Sequence, residues 1–140
     1  MITGTDELQR GARVDPWPSG IAAITFFVED LKRTRQFYLE VFGLPVFFEN
    51  EDSAVFKFGE TLINLLQIEQ APELIGPAAV AGPDSGARFQ LTLQVDDVDG
   101  MCATLASRGV ELLNGPMDRP WGPRTASFKD PAGHIWEIAH

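Results

Sequence analysis

The fold is decided by residues 24–46, ITFFVEDLKRTRQFYLEVFGLPV, whose plan returns at residues 91–113 as LTLQVDDVDGMCATLASRGVELL. Both stretches hold an alternating strand pattern, acidic residues, an amphipathic helix pattern, a glycine and the start of a second strand. A shift of 67 residues carries Val28 onto Val95 and Asp30 onto Asp97. The chain therefore contains a duplicated module.

A second pair of segments extends the duplication. Residues 56–66, FKFGETLINLL, match residues 128–138, FKDPAGHIWEI, once one extra residue is allowed in the turn. This alignment makes Asn64 the equivalent of Glu137, and Ala23 the equivalent of Gln90. Each half is predicted as a strand, a helix and three further strands, which is an α+β architecture. The predicted segments are an arm or disordered leader over 1–18, a first module over 19–70, a Pro-, Ala- and Gly-rich linker over 71–87, and a second module over 88–140.

Local signals predict where the two helices begin and end. Asp30 and Asp97 stand where a helix N-cap is expected, and Gly43 and Gly109 supply left-handed stops. One buried stripe is predicted on each helix, with Cys102 as a packing residue. The stripes consist of Leu31, Thr34, Tyr38, Val41 and Phe42 in the first helix, and of Val98, Met101, Cys102 and Leu105 in the second.

Composition excludes several classes of function. The net charge is −9, so a basic surface for nucleic acid is not expected. No run of about eighteen apolar residues and no signal-peptide pattern is present, which argues against a membrane protein and favours a cytoplasmic one. One cysteine excludes an internal disulfide and a multi-thiolate zinc site. The acidic balance mildly favours a neutral or cationic ligand.

Strand alternation predicts which residues face a cleft. Trp136 and Ile138 have the parity that packs under the helix, so Glu137 is expected on the opposite, concave face. The candidate ligand-binding residues of that face and its rim are Phe27, Asn64, Gln90, Thr92, Trp121, Arg124 and Glu137. Three roles remain open for Glu137: a structural hydrogen bond, a metal ligand, or a polar contact or general base for an organic ligand.

Two candidates belong to the segment PWGPR. Trp121 lies between a proline and a glycine, outside any apolar period, so a position at the pocket edge is as good an interpretation as packing. Arg124 pairs either with an anionic ligand group or with a surface acid. In KDPAG, Asp130 and Gly133 are expected to form a tight turn that aims Glu137 inward, and no chemistry is assigned to them.

The ordered set VEDLKRTRQFYLEVFGL, LQVDDVDGMCATLASRGVEL and WGPRTASFKDPAGHIWEI resembles the vicinal oxygen chelate superfamily, which includes glyoxalase I, bleomycin resistance proteins and extradiol dioxygenases. The resemblance covers about residues 20–139. It implies two tandem βαβββ modules whose curled mixed sheets form an incomplete barrel around a cleft. It also implies a homodimer, because dimerisation often completes that barrel.

The resemblance further implies a comparison of metal positions. In metal-using members, the four floor positions hold His or Gln, Glu, His or Gln, and Glu. Here they are Ala23, Asn64, Gln90 and Glu137, so one position has no ligand atom and only one is anionic. No metal and no other cofactor is therefore expected, although a weakly held divalent ion remains an alternative.

Two functions from different classes follow from these observations. The first is a metal-independent protein that, like the bleomycin resistance branch, binds a small organic molecule in a dimeric cleft. The second is a divalent-metal-dependent lyase or dioxygenase of the glyoxalase type, with Glu137 as the candidate catalytic residue. Ala23 and Asn64 favour the first, whereas Gln90 together with Glu137 keeps the second open.

Overall fold

The computed structural model describes Pro18 and residues 20–140. The predicted arm over residues 1–18 therefore lies outside the described residues, apart from Pro18. The described chain forms two four-stranded mixed sheets, in the strand orders β1-β4-β3-β2 and β5-β8-β7-β6. Because each sheet is built by one half of the chain, the predicted pair of βαβββ modules is confirmed.

Both modules run in the same order along the chain. The first comprises β1 (Ala23–Val28), α1 (Leu31–Phe37), β2 (Val46–Glu49), β3 (Ser53–Phe58) and β4 (Thr61–Gln67). The second comprises β5 (Gln90–Gln94), α3 (Val98–Ser107), β6 (Leu112–Asp118), β7 (Arg124–Lys129) and β8 (Ile135–Ala139). In each module the first strand pairs in parallel with the last, and the other pairings are antiparallel.

Between the modules, the chain contains more structure than its composition predicted. A 3₁₀ turn over Ile68–Gln70 leads into a short helix, α2 (Ala71–Ile75), inside the segment expected to be a linker. Residues 76–89 then cross to β5 without a further helix or strand. None of the helices in the described part of the chain combines the length and the hydrophobicity that a membrane crossing requires.

The first helix begins and ends as its sequence predicts. The Asp30 carboxylate accepts a hydrogen bond from the backbone N–H of Arg33, which satisfies one of the amides left open at the start of the helix. After Phe37 the helix widens into a π-helical turn over Tyr38–Phe42, and Gly43 ends it with φ 68°. Four members of the predicted stripe pack in or against the core beside the buried Thr34: Leu31, Tyr38, Val41 and Phe42.

The second helix departs from prediction at one position. Asp97 accepts a hydrogen bond from the backbone N–H of Gly100, and Val98, Cys102 and Leu105 are buried as expected. Met101, in contrast, is 37% exposed, so its assignment to the buried stripe is wrong. The three buried residues already cover the face that meets the sheet, and position 101 lies at the border of that face, where the helical period does not decide burial.

The helix-facing sides of the two sheets share one core. Rings from the first module, Phe42 and Phe58, lie 5.0 Å from the Trp136 ring of the second, measured between centroids. Trp136 and Ile138 are buried, which confirms the predicted parity of β8. Since both inner faces meet in this core, both concave faces look away from it. The other buried apolar residues of this core are Phe26, Val28, Tyr38, Val41, Ala54, Phe56, Ile63, Leu65, Val98, Cys102, Leu105, Ala126 and Phe128.

A chain of polar groups crosses this core. The Trp136 indole N–H donates to the Tyr38 hydroxyl at 3.1 Å, and that hydroxyl donates to the Asp130 carboxylate at 2.9 Å. Asp130 also accepts from the backbone N–H groups of Ala132 and His134, both at 2.9 Å. The predicted turn is present, with Gly133 N–H donating to the Asp130 carbonyl at 3.0 Å. Asp130 therefore does more than shape a turn, because it ties the π-helical turn that follows α1 to the β7–β8 hairpin.

Replacing Tyr38 by Phe should remove a pH dependence of stability. Burial raises the pKa of the Tyr38 hydroxyl well above its ordinary value, and the charge of Asp130 raises it further. An unfolded tyrosine titrates near pH ~10, so above that pH only the unfolded chain releases the proton and the free energy of unfolding falls as pH rises. Tyr38 is the only tyrosine in the chain. Urea unfolding of both proteins across the alkaline range measures the difference in slope.

At neutral pH the free energy of unfolding of Tyr38→Phe should be about 1–3 kcal/mol lower than that of the unaltered protein, because the Trp136 N–H and the Asp130 carboxylate lose a buried partner. A tyrosinate absorbance titration provides an independent check. Equal alkaline slopes in the two proteins, or ionisation of Tyr38 near the pH of free tyrosine, would contradict the buried hydrogen bond.

Candidate ligand-binding site

Glu137 lies on the concave face of the second sheet, as its parity predicts. It pairs in register with Thr92 of β5 on one side and with Ser127 of β7 on the other. The Thr92 hydroxyl donates to Glu137 Oε1 at 2.8 Å. Gln90 and Gln94 lie two positions away from Thr92 along β5, on the same face, and both are exposed. The centre of this face is thus a half-buried carboxylate held by one hydroxyl.

Asn64 occupies the corresponding place in the first sheet. It pairs in register with Thr25 of β1 and Val55 of β3. The Asn64 amide donates to the Thr25 hydroxyl at 3.4 Å, a long contact. Among the described residues, the buried Asn64 Oδ1 has no hydrogen-bond partner. The Thr25–Asn64 and Thr92–Glu137 pairs therefore repeat one arrangement, which supports the alignment of Asn64 with Glu137.

The fold of one chain does not bring these two pairs together. They lie on separate sheets whose helix-facing sides share the core, so each pair faces away from that core. Ala23 and Gln90 head their strands on these same faces, and both are exposed. A single cleft that contains all four positions would need a concave face from another protein chain.

These four positions do not fit a divalent metal ion. Ala23 offers no donor atom, Asn64 and Gln90 offer neutral amides, and Glu137 alone offers an anionic oxygen, one of whose lone pairs is used by Thr92. Divalent first-row metals in proteins depend on histidine, thiolate or carboxylate ligands to offset their charge. Within the described part of the chain, no group of three or more His, Cys, Asp or Glu side chains could hold a metal.

Both histidines of the C-terminal strand region point elsewhere. His134 has its ring stacked on Phe26, with centroids 4.1 Å apart, and its Nδ1 contacts Asp130. His140 has its Nδ1 3.0 Å from the backbone carbonyl of Val95. Neither imidazole therefore extends the polar set around Glu137.

Exposed apolar side chains surround the polar centres of both concave faces. Phe48 pairs with Val55, which places it on the face of Asn64, and it is 55% exposed. Met117 pairs with Thr125, which places it on the face of Glu137. Sequence reasoning did not identify these two residues. Register shifts interrupt β2 and β6 beside them, and such irregularities break the period-two rule that assigned the other strand residues.

The two candidates of the PWGPR segment lie apart from Glu137. Trp121 is 72% exposed in the turn between β6 and β7, with the Arg119 guanidinium 5.7 Å from its ring centroid. Arg124 has the parity of the buried Ala126, and its guanidinium pairs with Asp99 at 3.0 Å and Asp118 at 3.1 Å. These hydrogen bonds raise the pKa of Arg124, the bond to Asp99 most. Arg124 therefore interacts with surface acids on the helix side.

Phe27, the remaining candidate, is half-buried on β1 and shares the concave parity of Thr25. Taken together, the described residues of the concave faces present hydrogen-bond acceptors between apolar side chains. Cys102, the only cysteine, is buried in α3, and burial raises the pKa of its thiol, which makes it a poor nucleophile. The arrangement is suited to holding a molecule by hydrogen bonds and apolar contact.

Comparisons with known proteins agree with the architecture. The Glyoxalase/Bleomycin resistance protein/Dioxygenase superfamily matches residues 20–138. The uncharacterized protein YraH of Bacillus subtilis is 38% identical over 120 residues, which cover 82% of this chain and 93% of YraH. A glyoxalase/bleomycin resistance protein/dioxygenase from Nocardioides superposes with a TM-score of 0.80 at 24% identity, covering 94% of this chain and 89% of the other.

TnmS3, an antibiotic binding protein from Streptomyces sp. CB03234, superposes with a TM-score of 0.68 at 28% identity. The alignment covers 89% of this chain and 97% of TnmS3. The match of the family over nearly the whole length and the identity with YraH lead to one conclusion. This chain belongs to the glyoxalase/bleomycin resistance protein/dioxygenase superfamily.

Proposed function

We propose that this protein binds a small organic molecule, without a metal ion, in a cleft formed by concave faces of two copies of the chain. The observation that carries the proposal is the unused acceptor at the centre of each face. Asn64 Oδ1 is buried and unpaired, and among the described residues Glu137 Oε2 accepts no hydrogen bond. A buried acceptor that the protein leaves open, as Asn64 Oδ1 is, calls for a partner, and a bound ligand can supply it.

The chemistry of these acceptors suggests the class of ligand. A carboxylate oxygen and an amide oxygen both require N–H or O–H donors. Glu137 adds a negative charge to a protein whose net charge is already −9. Phe27, Phe48 and Met117 offer flat or adaptable apolar surface on the same faces. We therefore expect a planar compound that is neutral or cationic and carries hydrogen-bond donors.

Family relationships support a binding role without identifying the ligand. TnmS3 is described as an antibiotic binding protein and shares 28% of its aligned residues with this chain. A role in which a compound is bound and sequestered needs no catalytic group, which agrees with the absence of an activated nucleophile on the concave faces of the described residues. A metal-dependent lyase or dioxygenase would need ligands that Ala23 and Asn64 do not supply.

A second copy of the chain explains how one cleft could form. Among the described residues, the outermost strands of each sheet have an edge without a strand partner, and the concave side carries exposed apolar residues. If the first module of one copy faced the second module of another, Asn64 and Glu137 would line the same cleft. A two-fold axis would then generate two identical clefts per dimer.

The protein should be a homodimer at micromolar concentration, and Phe48→Glu should shift it towards the monomer. The substitution places a charge on the apolar concave face, which costs more in an interface than in water. Leu74→Glu is the matched control, because Leu74 is 61% exposed on α2, outside both sheets. Multi-angle light scattering over a concentration series measures the mass of each protein. A mass of one chain at every concentration, for the unaltered protein, would contradict the dimer.

Glu137→Gln should impair ligand binding and leave folding intact. A thermal-shift screen of planar aromatic amines against matched aromatic carboxylates identifies a ligand, and we expect the amines to stabilise the protein. A hydrogen bond to a charged group contributes about 1.5–3 kcal/mol, so the affinity of such an amine should fall at least about tenfold in the variant. The melting temperature without ligand should be unchanged, because Glu137 is half-buried and has one side-chain partner.

The same protein preparations test the metal-dependent alternative. Elemental analysis should find no stoichiometric first-row metal, and a chelator should leave ligand affinity unchanged. Tightly bound metal near one ion per chain, lost together with an enzymatic activity in Glu137→Gln, would overturn the proposal in favour of the enzyme. Stabilisation by aromatic carboxylates alone would contradict the ligand class.

Asn64→Leu should stabilise the protein and weaken binding. An unpaired buried acceptor costs about 1–3 kcal/mol, and a similar-sized apolar side chain removes that cost. We expect the free energy of unfolding to rise by about 1 kcal/mol in urea titrations of the ligand-free protein. Val55→Ala, on the neighbouring strand, is the control for loss of packing, and it should lower the free energy of unfolding. Destabilisation by Asn64→Leu would show that the Asn64 amide is satisfied in solution.

A further inference from the structure

A cavity of about 380 Å³ lies where the two modules meet, between β1, the loop over residues 76–89 and the turn that joins β7 to β8. We call it the seam cavity. Its apolar lining comes from all three segments, and the Phe89 ring lies 5.9 Å from the Phe26 ring. Its lining side chains include Phe27, Val80, Pro83, Phe89, His134 and Ile135. A cavity of this size with aromatic walls is suited to one planar ring system.

The imidazole of His134 lines this cavity in a fixed orientation. Its ring stacks on Phe26 with centroids 4.1 Å apart and planes 8° from parallel. Its Nδ1 lies 3.0 Å from Asp130 Oδ2, a carboxylate that is almost fully buried. The stacking and this contact involve the ring face and Nδ1, and the side chain as a whole is 17% exposed.

The buried hydrogen-bond chain decides which nitrogen of His134 carries the proton. An indole N–H can only donate, so the Tyr38 hydroxyl accepts from Trp136 and directs its own hydrogen to Asp130. Two backbone amides also donate to the Asp130 carboxylate. Asp130 is therefore the acceptor in all of these hydrogen bonds. In its contact with His134, Nδ1 is the donor. In the neutral ring Nε2 is then a bare acceptor.

No residue in the described part of the chain hydrogen-bonds to that Nε2. The His134 side chain is 17% exposed and lines the cavity, so this Nε2 can face a bound molecule. An aspartate-oriented imidazole with an open Nε2 beside a cavity is the arrangement that accepts a proton or a hydrogen bond from a bound molecule.

The charges on the cavity wall favour an acidic group. Arg88 and Lys129 both line the cavity, against one carboxylate, that of Glu29. This local excess of positive charge contrasts with the net charge of −9 for the chain. A hydroxyl that donates to Nε2 gains partial negative charge, which the two cations stabilise.

We propose that the seam cavity is a second binding site, in which His134 Nε2 accepts the hydroxyl hydrogen of a planar aromatic phenol or enol. Phe27 and Phe89 contact the ring of the bound molecule, and Arg88 and Lys129 stabilise the charge on its oxygen. The cavity reaches the edge of the first concave face, because Thr25 and Phe27 also line it, but it differs from the Asn64 and Glu137 centres in the ligand it selects. The concave faces offer acceptors and negative charge, whereas the seam cavity offers one acceptor with positive charge.

The test uses 4-nitrophenol and 2-naphthol, with their methyl ethers as matched probes that lack the hydroxyl. The full-length protein, labelled with ¹⁵N at histidine, is titrated with each probe. The chain has two histidines, so His140 serves as an internal reference. We expect at least one phenol to shift the Nε2 resonance of His134 saturably, and its ether to bind about tenfold more weakly because one hydrogen bond is lost.

Variants assign the binding to this cavity. His134→Phe keeps a ring on Phe26 but removes the acceptor, so it should weaken the phenol about tenfold and leave the ether unchanged. Phe89→Ala should weaken both probes, while Phe47→Ala, a change at a similarly exposed phenylalanine outside the cavity, should weaken neither. Melting temperatures confirm that the variants are folded.

Three results would overturn the second site. The first is that neither phenol binds the unaltered protein saturably. The second is that the phenol binds equally well to His134→Phe and Phe89→Ala. The third is that its binding is lost in Glu137→Gln while both cavity variants retain it, which would assign the phenol to the concave cleft. Because Glu137→Gln tests only the concave cleft, the seam cavity and the proposed function can fail independently.

Discussion

The hydrogen bond between the Tyr38 hydroxyl and the Asp130 carboxylate joins residues 92 positions apart in the sequence. It links the π-helical turn of the first module to the β7–β8 turn of the second, inside the aromatic core that both modules share. Removing either partner would leave the other unsatisfied in a region with little access to water, where an unmade hydrogen bond is expensive. This contact specifies that the helix-facing sides of the two sheets meet.

That packing determines where the functional surfaces lie. When the inner faces of both sheets are used to build the core, the concave faces remain outside with their polar centres and exposed apolar residues. The duplicated pairs Thr25–Asn64 and Thr92–Glu137 then occupy equivalent positions on two surfaces instead of one cavity. The two modules have the same hydrogen-bonding framework, but one presents an amide and the other a carboxylate. A ligand held between two such faces would meet two different acceptors.

Strand β8 serves two chemical environments because its side chains alternate. Glu137 faces outward on the concave side, while Trp136 donates into the buried chain that ends at Asp130 and orients the His134 ring. The half-buried carboxylate and the buried indole thus belong to adjacent residues. The first environment is negative and offers acceptors. The second adjoins a cavity with Arg88 and Lys129 on its wall, so this short segment contributes to two sites of opposite preference.

Local and periodic features could be predicted from sequence. The repeat, the caps at Asp30 and Asp97, and the opposite facing of Trp136 and Glu137 follow from hydrogen bonding and side-chain geometry within a few residues. Predictions were wrong or incomplete where burial or orientation depends on more than these local interactions. Met101 lies at the border of a helical face, and Phe48 and Met117 follow irregularities in strand register that reset the alternation. The composition of the linker did not reveal α2.

The sequence by itself determined two βαβββ modules and which side of each strand is apolar. Only the tertiary structure decided that the helix-facing sides of the modules share a core, that Arg124 pairs with Asp99 and Asp118, and that His134 stacks on Phe26 beside residues from the loop over 76–89. The physical reason is that a strand's pattern specifies which face is buried but not what covers it. The cover here comes from residues up to about a hundred positions away, as in the contact of Tyr38 with Trp136, whose separation is 98.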